Sequence, residues 1–239
     1  VHPHIGGGGA AEVLSNRLQT PLNTLLSEKL SVNVPCTHKN YLDGCNPSHV
    51  DREALLLASQ NDISIVLVGN DHNTETEGKD RESIRLSAKE ETLIKGVART
   101  STNTVVIIEA GSAIDMSNWI DDVEAVIFAG FLGDTCNEAL ADILTGKVCP
   151  SGKLSETFPL SLEQTYCKNN VGNDSVEVYD DGVLVGYRYY DTKKIPVLFP
   201  FGFGLSYAKF EYSDLRVEKI TETDSNVKFT ITNTSDIDA

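Results

Sequence analysis

The chain has 239 residues, of which 40% are hydrophobic and 23% are charged, and its formal net charge is −15. A chain of this length can bury one large core, or one core with a small appendage. The acidic balance argues against nucleic acid or an anionic membrane as a partner, and no apolar run approaches the roughly 20 residues of a membrane-spanning helix.

The five cysteines are scattered along the chain without C-x-x-C spacing. This spacing predicts no metal site, and the sequence gives no reason to expect a cofactor. An odd number of cysteines fits reduced thiols better than a full set of disulfides, so a cytoplasmic location is slightly favoured over a secreted one, although the compartment stays unknown. A small loop closed by Cys36 and Cys45 is the alternative.

The first quarter of the chain predicts a loop, a helix, a short strand and a second helix. The four consecutive glycines Gly6 to Gly9 predict a flexible loop, because the spacing and the lysine of a phosphate-binding loop are missing. Thr20 as cap and Pro21 at the first helical position begin a helix that runs to Leu30. The next predicted elements are a strand at Ser31–Val34, a polar loop at Thr37–His49 and a helix at about Asp51–Ser59.

Apolar strands alternate with amphipathic helices through the middle of the chain. The predicted strands are Ile63–Val68, Thr104–Ile108 and Ala125–Phe128, and the predicted helices are Ala88–Arg99 and about Asp134–Leu144. The strand at 104–108 is β-branched throughout, as buried parallel strands often are. Gly96 inside the helix at 88–99 weakens that prediction. The alternation predicts right-handed βαβ units, and therefore an α/β fold with a mostly parallel sheet.

The composition changes after Gly152, where aromatic residues crowd into the segments VGYRYYD and FPFGFGLSY. Two strands with period-2 alternation follow, in KFEYSDLRV and VKFTITNT. Such short strands do not fold alone, so we expect them to belong to a second, all-β unit that this chain only begins. The aromatic segments are expected to fill a seam between domains.

The loop after the strand at 63–68 carries residues suited to acid–base chemistry. It contains Glu75, Glu77, Gly78 and the pair Asp80–Arg81. In open α/β sheets, ligands bind at the carboxyl ends of strands, where such loops project polar groups. A carboxylic acid can protonate a leaving group when burial or a second negative charge raises its pKa, and a neighbouring glutamate can supply that charge. Composition alone favours a different interpretation, a solvated acidic loop with a helix-capping role.

Four motifs in one order resemble the second domain of glycoside hydrolase family 3, and together they are more specific than any one of them alone. They are ETEGKDRESIRL, PSGKLSETFP, VGYRYYD and FPFGFGLSY. The resemblance covers nearly the whole chain to about Val217, and the tail to Ala239 is similar to the start of a fibronectin type III-like domain. It implies a three-layer α/β/α sandwich over residues 1–215 and truncated β-strands over residues 216–239.

The resemblance also implies how the site is divided between domains. In this family the sandwich packs beside a (β/α)8 barrel, which is absent from this chain and supplies an aspartate nucleophile. The sandwich supplies the acid/base at the Glu before Gly-x-Asp-Arg, which here is Glu77. Glu75 is the competing candidate. The residues expected to contact substrate are Asp80, Arg81 and His72.

The implied activity is that of a retaining exo-acting β-glycosidase that hydrolyses terminal non-reducing β-D-glucosyl residues. A β-xylosidase or α-L-arabinofuranosidase of the same family is one alternative, and a carbohydrate-binding or scaffold domain without catalysis is another. The implied partners are a β-glucoside or oligosaccharide and the barrel of the same parent protein, and a homodimer is left open. Because the nucleophile lies outside these residues, the domain is expected to be active only together with the barrel.

A few positions depart from the family pattern or invite a second interpretation. Lys79 replaces an aromatic residue that is common there, and an exposed side chain is the simpler expectation. The residues from Asp134 to Cys136 stand where many members have Gln, Glu and Gly, which puts a role for that loop in doubt. Trp119, the only tryptophan, is expected in the core rather than against a sugar.

Overall fold

The structure is a computed structural model that describes Gly8, Thr24–Leu25 and residues 47–133, 136–166 and 181–239. Thr24 and Leu25 are helical, within the helix predicted at 20–30. The predicted strand at 31–34, the rest of the glycine loop and the Cys36–Cys45 pair lie outside the described residues.

A parallel sheet of three strands occupies the centre of the described part of the chain. The strands are β1 (Ser64–Gly69), β2 (Thr104–Glu109) and β3 (Ala125–Phe128), and they lie side by side in that order. The register aligns Val66 with Val106 and Val106 with Val126. In β2, Val106 and Ile108 are fully buried and Ile107 is 1% exposed, because apolar groups cover both faces of this middle strand. The predicted parallel sheet is therefore confirmed.

Helices precede, separate and follow these strands along the chain. The described helices are α1 (Pro47–Ala58), α2 (Ala88–Thr100), α3 (Cys136–Leu144) and α4 (Tyr187–Lys193), with 3₁₀ turns at Ile120–Asp122 and Leu162–Gln164. Helix α1 begins four residues before its predicted start, because Pro47 is suited to the first helical position. Helix α4 was not predicted from its aromatic sequence, since aromatic residues have modest helix propensity.

Helix α2 connects β1 to β2 and packs against both strands. Ser87 and Glu90 form a capping box at its start, in which each side chain accepts a hydrogen bond from the backbone of the other residue. Ile94 is fully buried. Gly96 lets α1 approach closely, because a Cβ there would lie 3.0 Å from the Cδ2 atom of Leu55. The described elements thus form a mixed helix–strand domain around a parallel sheet, and the three-layer arrangement stays a prediction.

The second half of the chain adds a small antiparallel pair that the sequence did not predict. It consists of β4 (Phe158–Pro159) and β5 (Val197–Phe199). Phe158 is 1% exposed and meets Phe128 of β3 edge to face, with ring centroids 5.0 Å apart. Trp119 is 1% exposed and belongs to the same core, which confirms its predicted place. The motif segments after Gly152 are thereby attached to the sheet domain.

The chain ends in an antiparallel hairpin of β6 (Phe210–Lys219) and β7 (Ser225–Asn233). Both predicted period-2 strands are confirmed. Every residue of both strands is exposed, so neither face is buried against the described part of the domain. Strand β6 runs across the predicted boundary at 215/216, with a register shift between Ser213 and Arg216. Among the described residues, no helix is both long and apolar enough to cross a membrane.

Candidate active site

The loops that follow β1 and β2 meet at one edge of the sheet, because parallel strands point their carboxyl ends the same way. The backbone N–H of Asn70 donates to the carbonyl of Glu109 over 2.9 Å. Gly69 ends β1 where no side chain fits, since a Cβ there would collide with the carbonyl oxygen of Glu109. Its N–H donates to Oε1 of Glu90, 3.1 Å away on α2. The start of the β1 loop is therefore fixed on two sides.

Asp71 shapes the first turn of this loop. Its Oδ1 atom accepts hydrogen bonds from the backbone N–H groups of Asn73 and Thr74, each over 3.0 Å. Burial acts to raise the pKa of Asp71, but the hydrogen bonds from Asn73 and Thr74 outweigh it and hold the pKa below its usual value. The turn is therefore built around a carboxylate.

Glu77 lies at the tip of the next turn. Thr76 and Lys79 form an antiparallel bridge that closes this turn, and Gly78 adopts a φ of 75° that a residue with a side chain would rarely take. The side chain of Glu77 is exposed. The turn therefore presents the Glu77 carboxyl group outward on a backbone of defined shape.

Gly8 joins the glycine-rich opening of the chain to this loop. Its N–H donates to the carbonyl of Glu75 over 2.9 Å, and its carbonyl accepts from the N–H of Glu77 over 3.4 Å. A Cβ at Gly8 would collide with the side chain of Thr76. The sequence pattern predicted only a flexible loop at Gly6–Gly9, so this close approach is a contact that the pattern did not reveal.

Glu75 points the other way, into the domain. Its Oε2 atom accepts from the N–H of Gly111 over 2.8 Å and from Nδ2 of Asn70 over 3.3 Å. Its Oε1 atom accepts from Oγ of Ser112 over 2.8 Å and lies 3.7 Å from Nη1 of Arg81. The side chain is 14% exposed. Both carboxylate oxygens are thus engaged by groups of the domain itself.

Arg81 completes this cluster. Its Nη2 atom donates to Oγ of Ser112 over 2.8 Å and to the carbonyl of Ala113 over 3.2 Å. The side chain is 13% exposed, and its Nη1 atom faces Glu75 without a hydrogen bond to any described residue. Arg81 therefore links the β1 loop to the β2 loop.

Glu156 is a second carboxylate near this cluster. Partial burial raises the pKa of Glu156, and the negative charge of Glu75 adds to the rise. The residue nevertheless keeps part of its surface exposed. A hydrogen bond from the Ala113 backbone and the positive charge of Arg81 oppose the rise. The site thus holds a carboxyl group that is easier to protonate than usual. It lies in the motif PSGKLSETFP, to which the sequence assigned no catalytic role.

A cavity of about 480 Å³ opens beside Arg81 and Glu156. The residues that define its character are Arg81, Ser112, Glu156, Tyr166, Tyr187 and Phe201. The rings of Tyr187 and Phe201 stack with their centroids 5.1 Å apart. Convergent polar groups beside aromatic rings are typical of ligand sites.

The predicted site residues therefore occupy different environments. Glu75 and Arg81 are in contact and mostly buried, whereas Glu77 is exposed at the turn. His72 and Asp80 are exposed on the same loop, and their predicted contact with substrate stays a prediction. Within the described residues, no group of three or more potential ligands could hold a metal ion.

Sequence reasoning missed Asn70, Gly111, Ser112 and Glu156. A signal for the first three was present, since Asn70 directly follows β1 and the pair Gly111–Ser112 follows β2 after one residue. The rule that sites form at the carboxyl ends of parallel strands applies to both loops, and it was used only for the first.

Comparison with known proteins adds family evidence to this geometry. The family model of the glycosyl hydrolase family 3 C-terminal domain matches residues 2–207. Thermostable beta-glucosidase B of Acetivibrio thermocellus is 38% identical over 229 residues, which are 94% of this chain and 30% of that protein. An exo-alpha-(1->6)-L-arabinopyranosidase of Bifidobacterium breve is 34% identical over 238 residues, 99% of this chain and 31% of that protein.

Solved structures agree with these sequence relatives. The crystal structure of a family 3 beta-glucosidase from Bifidobacterium adolescentis superimposes with a TM-score of 0.87 at 35% identity, over 94% of this chain and 33% of that one. Beta-glucosidase 3B of Thermotoga neapolitana, solved in complex with alpha-D-glucose, gives a TM-score of 0.85 at 28% identity, over 96% of this chain and 36% of that one. The chain thus spans about a third of the length of these relatives.

Proposed function

Because the chain belongs to glycoside hydrolase family 3 as its C-terminal domain, and is thus a glycoside hydrolase domain, we propose that it carries the acid/base of a retaining exo-acting β-glucosidase. Its substrates would be terminal non-reducing β-D-glucosyl residues. The rest of the active site, including an aspartate nucleophile, would come from a (β/α)8 barrel of the parent protein. The relatives are about three times as long as the chain, which leaves room for such a domain.

The observation that carries this proposal is the outward position of Glu77 on a closed turn. A proton donor for a substrate held by another domain must extend beyond its own domain. Glu77 is exposed at the turn between Thr76 and Lys79. Both oxygens of Glu75, by contrast, accept hydrogen bonds from inside the domain. Glu77 is therefore the acid/base in this proposal, and Glu75 is not.

The proposed reaction has two steps. First, the barrel aspartate bonds to the anomeric carbon while the glycosidic bond breaks, and Glu77 gives its proton to the departing oxygen. Second, the Glu77 carboxylate takes a proton from water as that water attacks the anomeric carbon and releases the aspartate. This chemistry requires the two carboxyl groups to lie about 5–5.5 Å apart in the assembled enzyme.

Replacement of Glu77 by Ala in the full-length parent protein tests this assignment. Turnover of an alkyl β-glucoside should fall by about 10²–10⁴-fold, because its poor leaving group needs a proton. Dinitrophenyl β-glucoside, which needs no proton, should still form the glycosyl-enzyme, and added azide should then yield β-glucosyl azide. Product analysis by chromatography measures this. Glu82→Ala, an exposed position on the same loop, is the matched control. Normal turnover of the alkyl glucoside by Glu77→Ala would overturn the assignment.

An arabinosidase is the second candidate, because one relative that matches 99% of the chain is named an exo-alpha-(1->6)-L-arabinopyranosidase. The nitrophenyl derivatives of β-D-glucose, β-D-xylose and both ring forms of α-L-arabinose distinguish these activities in the parent protein. A parent protein without turnover of any of them would favour the non-catalytic alternative.

Arg81, Asp80 and His72 are proposed to contact the substrate around Glu77. Support for Arg81 comes from its place on the cavity wall. Asp80 and His72 are exposed on the loop that carries Glu77, within reach of a ligand bound outside the domain.

We place the boundary of the second unit before Phe210 rather than at residue 216. The family match ends at residue 207, and β6 runs from Phe210 to Lys219. The hairpin exposes large apolar side chains, among them Tyr212 and Phe229, whose rings lie 6.0 Å apart. In our proposal these side chains face the remaining strands of a fibronectin type III-like domain, which would bury them.

A further inference from the structure

Glu75 connects the acidic loop to the ends of two neighbouring strands. Asn70 directly follows β1, and Gly111 and Ser112 lie just beyond the end of β2. All three donate hydrogen bonds to the Glu75 carboxylate, over distances from 2.8 to 3.3 Å. One side chain thus fixes its loop against the sheet edge at three points.

Arg81 secures the other end of the same loop. Its Nη1 atom lies 3.7 Å from Oε1 of Glu75, and its Nη2 atom donates to Ser112 and to the carbonyl of Ala113. The two side chains are 14% and 13% exposed, so solvent screens their attraction less than it would screen a surface pair. The segment between them is therefore fastened before and after its turn.

Glu77 lies between these two fastened residues. Two residues of extended chain span at most about 7 Å, so a shift of Glu75 is transmitted almost directly to the tip. The backbone also couples the two glutamates, because Gly8 hydrogen-bonds both to Glu75 and to Glu77. The position of the exposed carboxyl group is therefore set by the buried one.

We propose that Glu75, paired with Arg81, is a positioning residue that holds Glu77 at the place where the proton is transferred. This inference rests on the proposed function of Glu77 and adds a distinct role for the second glutamate of the loop. A displacement of about 1 Å in a catalytic group can reduce turnover by about 100-fold. The clamp, which is the pair of Glu75 and Arg81, prevents such a displacement. Both carboxylate oxygens of Glu75 stay hydrogen-bonded within the domain.

The test uses Glu75→Gln in the full-length parent protein. The amide keeps the size of the side chain, but it ends the ion pair with Arg81 and replaces one of the two acceptor oxygens by an NH2 group. Turnover of the alkyl β-glucoside should fall by about 10- to 100-fold. The kcat/KM for dinitrophenyl β-glucoside should fall much less, because it reports formation of the glycosyl-enzyme and that leaving group needs little help from an acid. The ratio of kcat/KM for the two substrates is the readout, since a loss of folded protein would lower both equally.

Azide distinguishes the two glutamates. With Glu77→Ala, azide should give β-glucosyl azide; with Glu75→Gln or Glu75→Ala it should give none, because the Glu77 carboxylate remains and repels the anion. If Glu75→Ala forms the azide product and Glu77→Ala does not, Glu75 is the acid/base and both the assignment and the clamp are wrong. If Glu77→Ala forms it and Glu75→Gln keeps a wild-type substrate ratio, only the clamp is wrong.

A second, milder variant keeps the proposal testable if Glu75→Gln fails to fold. Ser112→Ala removes one hydrogen bond to Glu75 and one from Arg81 without changing a charge. It should shift the substrate ratio in the same direction as Glu75→Gln but by less. Glu82→Gln, at an exposed position of the same loop, should leave the ratio unchanged. If Glu75→Gln does not fold, a wild-type ratio in Ser112→Ala would overturn the clamp.

Discussion

Two glutamates that are two positions apart adopt opposite environments in this loop. Glu75 accepts hydrogen bonds from residues 36 and 37 positions away, Gly111 and Ser112, whereas Glu77 lies exposed at a turn closed by its own neighbours. Both glutamates lie in the same short polar segment, so the residues around them in the sequence do not distinguish them. The difference arises because only one of them is directed at the donors beyond the end of β2.

Glu156 predicts a pH-dependent difference in stability. The pKa of Glu156 is raised in the folded protein, so its ionisation opposes folding. The folded state then binds this proton more tightly than the unfolded state, and stability is lost as pH rises from below the ordinary pKa through the folded pKa. Glu156→Gln stays neutral and should avoid this loss.

The measurement compares urea midpoints of the parent protein and its Glu156→Gln variant at about pH 4 and about pH 8. The variant should gain stability relative to wild type at the higher pH, and the gain should shrink at the lower pH. Glu82→Gln, an exposed control, should show no such change. An equal difference at both pH values would contradict the raised pKa of Glu156.

At the scale of elements, helix α2 controls how β1 and β2 are connected. It packs against both strands, and its first turn is held by the capping box of Ser87 and Glu90. Glu90 also accepts a hydrogen bond from Gly69 over 3.1 Å. The start of this helix is thus tied directly to the strand end from which the acidic loop departs.

Ser87→Ala should lower the free energy of unfolding by about 1 kcal/mol, because it removes the side chain that accepts from the N–H of Glu90. Urea denaturation of the parent protein followed by circular dichroism measures the change. Lys89→Ala, at an exposed position of the same helix, should have little effect. A loss in Ser87→Ala no larger than that in Lys89→Ala would mean that the cap contributes nothing measurable.

At the scale of the whole molecule, our proposal divides the active site between this chain and another domain of the parent protein. The chain spans 30% and 31% of two relatives, and the proposed nucleophile lies outside it. The isolated chain should therefore release no nitrophenol from nitrophenyl β-D-glucoside under conditions in which the parent protein is active. Circular dichroism must first show that the isolated chain is folded. Hydrolysis by the folded, isolated chain would contradict the division of the site between domains.

Much of the secondary structure could be predicted because its signals are local. The β-branched run of β2, the apolar strand β3 and the period-2 alternation of β6 and β7 each lie within ten residues or fewer, and all were found in the structure. The start of α1 and the existence of α4 were missed. Their sequences, PSHV and YRYY, lack the apolar spacing that marks a helix, so periodicity did not reveal them.

The sequence by itself determined the family, the alternation of strands and helices that predicts a parallel sheet, and the presence of two glutamates on the loop after β1. Those features depend on residue order and on local periodicity. Only the tertiary structure decided which glutamate is buried, because its partners Gly111 and Ser112 become neighbours when parallel strands bring two loops to one edge. The tertiary structure also placed Gly8 against the loop and Glu156 near the charges of Glu75 and Arg81, contacts between segments that no local pattern links.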